Sequence, residues 1–256
     1  MGLFQHGEMA KPDYVFGIVR SHLARAGWPE SVKSGFVALE LGPGDSVASG
    51  MVTNACGASH TYLVDTGDYA THEMETYRKL AAFLHEKNVL SIPHLLGTEF
   101  SDLLSNINTR YLTNGLQSFR TIPDRSVNII WSQAVLEHVR RNEFDATIAE
   151  FRRILAPGGA CSHRIDLSDH LGGALNNLRF SESAWESDFM ANSGFYTNRI
   201  RFSEMIEIFH RNNFLVKVVK KDLWPNLPTP RIAFAKRFKS YSEEDLLVKG
   251  FEVVLS

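Results

Sequence analysis

The stretch Phe36-Val37-Ala38-Leu39-Glu40-Leu41-Gly42-Pro43-Gly44-Asp45-Ser46 decides the fold. A short, mostly apolar run ends in Gly-Pro-Gly, which predicts a buried strand and a tight turn. A helical pattern over 46–56 follows, with Gly57 as its stop. Working outward, further strands are predicted over 61–65, 110–113, 127–131, 160–165, 214–219 and 251–255. Helical patterns over 72–86, 143–155 and 203–212 alternate with them. Such alternation predicts an α/β, doubly wound, Rossmann-like sheet that is mainly parallel, with helices on both faces.

Before that core, Val15, Ile18, Val19 and Leu23 recur at helical spacing between Pro12 and Gly27. They predict an N-terminal helical extension over residues 1–30, lying outside the sheet, with the main domain over 31–256. Two stretches are too long for simple connections. The first, about 170–202, is rich in Asn, Arg and aromatic residues and reads as a helical cap. The second, about 222–248, carries Pro225, Pro228 and Pro230 before a short helix that Ser242 would cap.

The 256 residues are 44% hydrophobic and 22% charged, which excludes a disordered or fibrous chain. Lys plus Arg is 27 against 29 for Asp plus Glu, so there is no electrostatic footprint for nucleic acid or an anionic membrane. The two cysteines, Cys56 and Cys161, suit reduced thiols rather than a disulfide scaffold. No apolar run reaches the roughly 18 residues of a membrane span, and the first residues lack the pattern of a secretory leader. The expectation is a soluble, cytoplasmic protein with no nucleic-acid partner and no membrane insertion; its oligomeric state is left open.

The turn itself points to a ligand. In doubly wound sheets ligands bind at the carboxyl ends of the strands. Gly42 and Gly44 allow close backbone approach, but a dinucleotide fingerprint would place a third glycine where Val47 stands. Glu40 and Asp45 flank the turn and would repel a pyrophosphate. Asp65 ends the second strand 23 residues after Gly42, the spacing at which an acid accepts hydrogen bonds from ribose hydroxyls. A nucleoside with cationic substituents satisfies both observations, and S-adenosylmethionine has a ribose, an ammonium and a sulfonium. A bare tight turn, with Asp65 as a helix cap, is the competing structural reading.

Four stretches together resemble class I S-adenosylmethionine-dependent methyltransferases of the small-molecule or glycan type. They are Glu40 to Gly44, Val64-Asp65, Val127 to Val139 and Phe151 to Gly159, in family order. The resemblance covers about residues 35–220. It implies a seven-stranded sheet whose last strand, Phe251 to Leu255, runs antiparallel. It also implies that Glu40, Gly42, Pro43 and Gly44 line the methionine end of the cofactor and that Asp65 holds the ribose. Ser132 and Gln133 would sit beside the sulfonium. Near the adenine, where relatives often carry an acid, this chain has Asn114-Gly115-Leu116.

The acceptor is read from the fifth strand. Cys161-Ser162-His163-Arg164-Ile165-Asp166, then Leu167-Ser168-Asp169-His170, is unusually polar for a central parallel strand. A hydroxyl acceptor needs a base, and histidine is the usual one near neutral pH. His163 with Asp166 or Asp169 is the first candidate, and His170 the rival. Alternatives stand beside them: Asp169 as cap of a helix over 170–177, an Arg164–Asp166 ion pair, or a metal site from the same residues, which nothing in the spacing requires. Arg179, Trp185, Tyr196 and Arg199 either line a polar acceptor or cover a core.

These readings favour O-methylation of a sugar, glycan or small metabolite. N-methylation of a small amine and a non-catalytic S-adenosylmethionine-binding protein are the alternatives. A short-chain oxidoreductase is disfavoured, since no tyrosine has Lys four residues on, and a P-loop is excluded, since no Gly-Lys occurs.

Overall fold

The computed structural model describes residues 9–27, 35–89 and 99–256. The boundary expected at residues 30 and 31 lies outside them. The chain divides into two units. The first runs up to Gln133 and includes Arg153–Ser162. The second comprises Ala134–Arg152 and His163–Ser256.

The first unit holds α1 (Pro12–Arg25), β1 (Phe36–Leu41), α2 (Ala48–Ala55), β2 (Ala58–Val64), α3 (Met74–Glu86), α4 (Phe100–Asn106), β3 (Thr109–Leu112) and β4 (Val127–Gln133). β1 pairs in parallel with β2 and β4, and β2 pairs in parallel with β3. Ala38, Leu39, Leu63, Ile129 and Ile130 are wholly buried, as expected of strands covered on both faces. Glu40 lies opposite Leu63 on β2 and Trp131 on β4. α1 starts at Pro12, whose missing N–H costs nothing at a helix start. Its stripe of Val15, Val19, His22 and Leu23 is buried. Val15, Val19 and Leu23 share one core with Met51, Val52, Tyr77, Leu80 and Trp131. The helix expected to lie outside the sheet packs its apolar face into this unit's core. α4 was not anticipated. Its capping box pairs Glu99 with Asp102 rather than the usual Ser or Thr with Glu.

The second unit contributes most of α5 (Arg141–Ile154), the last four residues of β5 (Leu155–Asp166), whose first eight belong to the first unit, then α6 (Glu182–Trp185), α7 (Asp188–Ala191), α8 (Phe202–Arg211), β6 (Val216–Leu223), α9 (Glu243–Leu246) and β7 (Val248–Leu255). β7 pairs antiparallel with β6. A Cβ on Gly250 of β7 would lie 2.7 Å from the Ile165 carbonyl oxygen, so only glycine fits that approach. β6 is largely exposed, and its lysines at 217, 220 and 221 suit an edge strand. Among the described residues the sheet has seven strands in the order β3-β2-β1-β4-β5-β7-β6. The α/β class, the seven strands and the antiparallel last strand all agree with the sequence reading.

No α-helix forms over 170–177; only a 3-10 turn starts at Asn176. Gly172 and Gly173 take φ of +119° and +71°, left-handed values that break an α-helix. The two long stretches read as separate insertions form one assembly. Leu175 and Leu178 from the first pack with Phe234, Phe238 and Leu246 from the second. The Ala235 N–H donates to the Leu178 carbonyl at 2.8 Å. Ser242 caps α9 by accepting from the Asp245 N–H, as expected. Among the described residues no helix is long and apolar enough to cross a membrane.

Candidate functional site

Three loops at the carboxyl ends of β1, β2 and β3 are tied together within the first unit. After β1, Gly42 and Gly44 take φ of +73° and +70°. The Gly42 N–H donates to the Val64 carbonyl at 2.8 Å. A Cβ on Gly44 would meet no atom within 4 Å, so this bare backbone faces open space. After β2, the Asp65 N–H donates to Leu112 O and Asp65 O accepts from the Gly115 N–H, both at 2.8 Å. The Asp65 carboxylate accepts from the Gly44 N–H at 3.3 Å and from the Thr66 N–H at 2.7 Å. Burial pushes its pKa up, and these donors oppose the shift.

Three residues that the sequence reading passed over hold these loops. The Tyr77 hydroxyl donates to Thr71 O at 2.5 Å, and the Thr71 N–H donates to Asp45 O at 2.8 Å. The Tyr111 hydroxyl accepts from the Tyr69 and Ala70 N–H groups and donates to Gly67 O. Such long-range hydroxyl bonds leave no local sequence signal.

Glu40 is wholly buried. The Ser49 hydroxyl donates to its Oε2. Oε1 has no hydrogen-bond partner among the described residues. Burial pushes the carboxyl up to about 7, with the Ser49 hydroxyl and the Trp131 indole acting against it. A buried carboxyl oxygen with unused bonding capacity beside a bare glycine turn suits a cationic group. Ser132 is wholly buried, and Gln133 is half-buried at the end of β4. Asn114 is exposed and Leu116 half-buried after β3. The cofactor residues expected from the sequence thus all fall in one unit, and Glu40, Gly44 and Asp65 fit a cation that also carries hydroxyls.

The second unit treats its expected site residues differently. His163 is wholly buried, and its ring stacks on Phe151 with centroids 5.4 Å apart and planes at 12°. Such a position packs a core and offers no face to an acceptor. Asp166 accepts from the Ser168 N–H at 2.9 Å and from its hydroxyl at 2.6 Å. Asp169 accepts from the N–H groups of Leu171, Ala174, Asn176 and Asn177, so it orders the glycine-broken loop. Trp185 is wholly buried and donates from Nε1 to Thr197 O at 2.7 Å. Tyr196 is buried, its hydroxyl donating to Glu186 at 2.7 Å. Arg199 is buried between the rings of Trp185 and Phe238, at 5.3 and 5.1 Å, and pairs with Glu182 and Glu186. These three residues hold the inserted segments together. Arg179 and His170 are exposed.

His170 lies edge-on to His138 at 4.9 Å. Its Nδ1–H donates to Gly194 O at 3.2 Å, and the His138 Nδ1–H donates to Tyr196 O at 2.9 Å. Glu137, which the sequence reading did not single out, is buried, with Oε1 accepting from the Asp166 N–H. Burial pushes it up to about 8. Among the described residues no group of three or more His, Cys, Asp or Glu is arranged to hold a metal ion.

Residues 39–162, from β1 to β5, match the model of a family described as a methyltransferase domain. Together with the glycine turn and the acid ending β2, this match, over just under half of the chain, supports a class I S-adenosylmethionine-dependent methyltransferase. Solved structures similar to it include the YcgJ protein of Bacillus subtilis, 15% identical, covering 95% of this chain and 96% of that one, at TM-score 0.49. An S-adenosylmethionine-dependent methyltransferase of Methanosarcina mazei is 13% identical, with 88% and 93% covered, also at 0.49. A phosphoethanolamine N-methyltransferase of Haemonchus contortus, in complex with S-adenosylmethionine, is 15% identical, with 97% and 56% covered, again at 0.49. No curated protein matches the chain.

Proposed function

We propose that this methyltransferase acts on a hydroxyl of a small metabolite or glycan, and that His170 takes the hydroxyl proton. The observation that carries the reading is the set tautomer of an exposed histidine. Its Nδ1–H is committed to Gly194 O, so Nε2 carries the lone pair. A hydroxyl has a pKa far above 7 and needs such a base as its oxygen is methylated. His163 is left a packing role on its burial, and Arg179, which is exposed, can meet a polar acceptor.

For the cofactor, Glu40, Gly42, Pro43 and Gly44 hold the methionine end, and Glu40 Oε1 meets a cationic group. Asp65 accepts from the ribose hydroxyls, Asn114 and Leu116 lie along the adenine, and Ser132 and Gln133 lie near the reacting centre. The bound cofactor supplies an activated methyl group.

Methyl transfer from tritiated S-adenosylmethionine across phenols, sugars and amines tests the proposal. A hydroxyl compound is expected to accept the label. His170→Ala should lower kcat by about 10²–10⁴-fold with cofactor affinity kept, and added imidazole should restore part of the rate. An amine acceptor methylated at full rate by His170→Ala would overturn it.

A further inference from the structure

α1 brings a histidine to the end of β4. His22 is wholly buried, its ring stacked near Trp131 at 6.5 Å and 29°. Nδ1 lies 2.9 Å from the Ser162 hydroxyl and 3.2 Å from Nη1 of Arg25, and Nε2 lies 3.1 Å from Oε1 of Gln133. Chemistry settles the protons. A guanidinium only donates, so Nδ1 must present its lone pair to Arg25. The Ser162 hydroxyl can then donate to Nδ1 while accepting from Arg25 at 3.5 Å. The ring proton is therefore on Nε2, and its partner must be an acceptor, the Gln133 carbonyl oxygen. The Gln133 amide can no longer turn over, because its NH2 would then meet an N–H.

We infer that His22 is a positioning residue: it holds Gln133 with the amide NH2 directed away from α1, as a hydrogen-bond donor to an oxygen of a bound ligand. The inference rests on the proposed placement of Gln133 beside the cofactor. It also refines that placement, since an N–H donor does not suit a sulfonium. The oxygen belongs either to the cofactor's methionine carboxylate or to the methyl acceptor.

Nitrogen-15 NMR of the ligand-free protein reads the tautomer. A neutral His22 protonated at Nε2 is expected, and a proton on Nδ1 overturns the inference. Calorimetry with S-adenosylmethionine and its decarboxylated analogue then compares His22→Phe, which keeps the ring but not the nitrogens, with His22→Gln, which keeps a donor. Both variants are made in Gln133 and Gln133→Ala backgrounds. If the carboxylate is the partner, His22→Phe weakens S-adenosylmethionine about tenfold. In that case the decarboxylated analogue is spared, His22→Gln recovers part, and the effect vanishes in Gln133→Ala. If the acceptor oxygen is the partner, both cofactors bind as before and kcat/KM for methyl transfer falls about tenfold, again only with Gln133 present. Equal losses in both backgrounds, or none in either, overturn the inference. If the parent protein does not bind S-adenosylmethionine, the cofactor site fails instead, and the tautomer still decides His22.

Discussion

Around the glycine turn, Glu40 is wholly buried with one carboxyl oxygen bare among the described residues. In the second unit Arg201 is almost as buried, yet donates to the carbonyls of Leu167, Asp245, Leu246 and Val248 at 2.7–3.3 Å. Burial holds the Arg201 pKa down to about 10, and those four carbonyls keep the cation tolerable. Arg199 is handled likewise by two carboxylates, two aromatic rings and the Phe180 carbonyl. Both arginines still leave Nε without a hydrogen-bond partner among the described residues, as Glu40 leaves Oε1. The difference lies in their other atoms: each arginine bonds several groups of its own unit, whereas the Glu40 carboxylate takes the Ser49 hydroxyl and lies beside a bare glycine turn.

That contrast can be broken by experiment. Arg201→Ala should cost about 3–5 kcal/mol of stability in denaturant unfolding, because four buried carbonyls lose the donor they share. Cofactor affinity of the folded fraction should be unchanged; a selective loss of affinity would erase the distinction between the two regions. Gly44→Val should do the opposite. The left-handed φ strains the backbone by about 1 kcal/mol, while the side chain enters the open space over the turn. Calorimetry should show S-adenosylmethionine affinity down at least a hundredfold with only a modest shift in melting. Retained affinity would remove the turn from the site.

The smallest effect concerns Glu40 and pH. With the carboxyl at about 7, it is neutral below that pH, and a cationic ligand must expel the proton to pair with it. Affinity should therefore fall as pH drops below 7, by at most tenfold per unit, and level off above. Glu40→Gln should flatten this limb. Without cofactor the sign reverses. The unfolded chain releases this proton near 4.5, so stability declines by roughly 1.4 kcal/mol per pH unit between about 4.5 and 7. The Gln variant should lack that decline. A pH-independent affinity in the parent protein would mean that Glu40 meets no cation.

The glycine turn was legible because its signals are local: an apolar strand, glycines that must take positive φ, and an acid at a set spacing. Within the fifth-strand cluster, His163 and Asp169 misled for the opposite reason. Ionisable residues at the end of a central strand look like a site, but His163 alternates onto a face where Phe151 covers it. Asp169 spends its carboxylate on four backbone N–H groups of the loop that Gly172 and Gly173 create. Trp185 and Arg199 were read as one cap, whereas Phe238, more than thirty residues further on, completes their packing.

By itself the sequence determined the α/β alternation, the strand that ends in the glycine turn, the acid that closes β2 and the antiparallel last strand. Each depends on hydrophobic period or on a glycine's freedom, properties a residue carries wherever it is placed. The tertiary structure alone decided that α1 packs its apolar face into the core, that His22 reaches Gln133 across 111 residues, and that the two insertions share one interior. Those facts rest on which side chains meet across long sequence separations. Burial and hydrogen-bond partners, not residue type, then set whether a histidine, arginine or carboxylate serves the fold or a ligand.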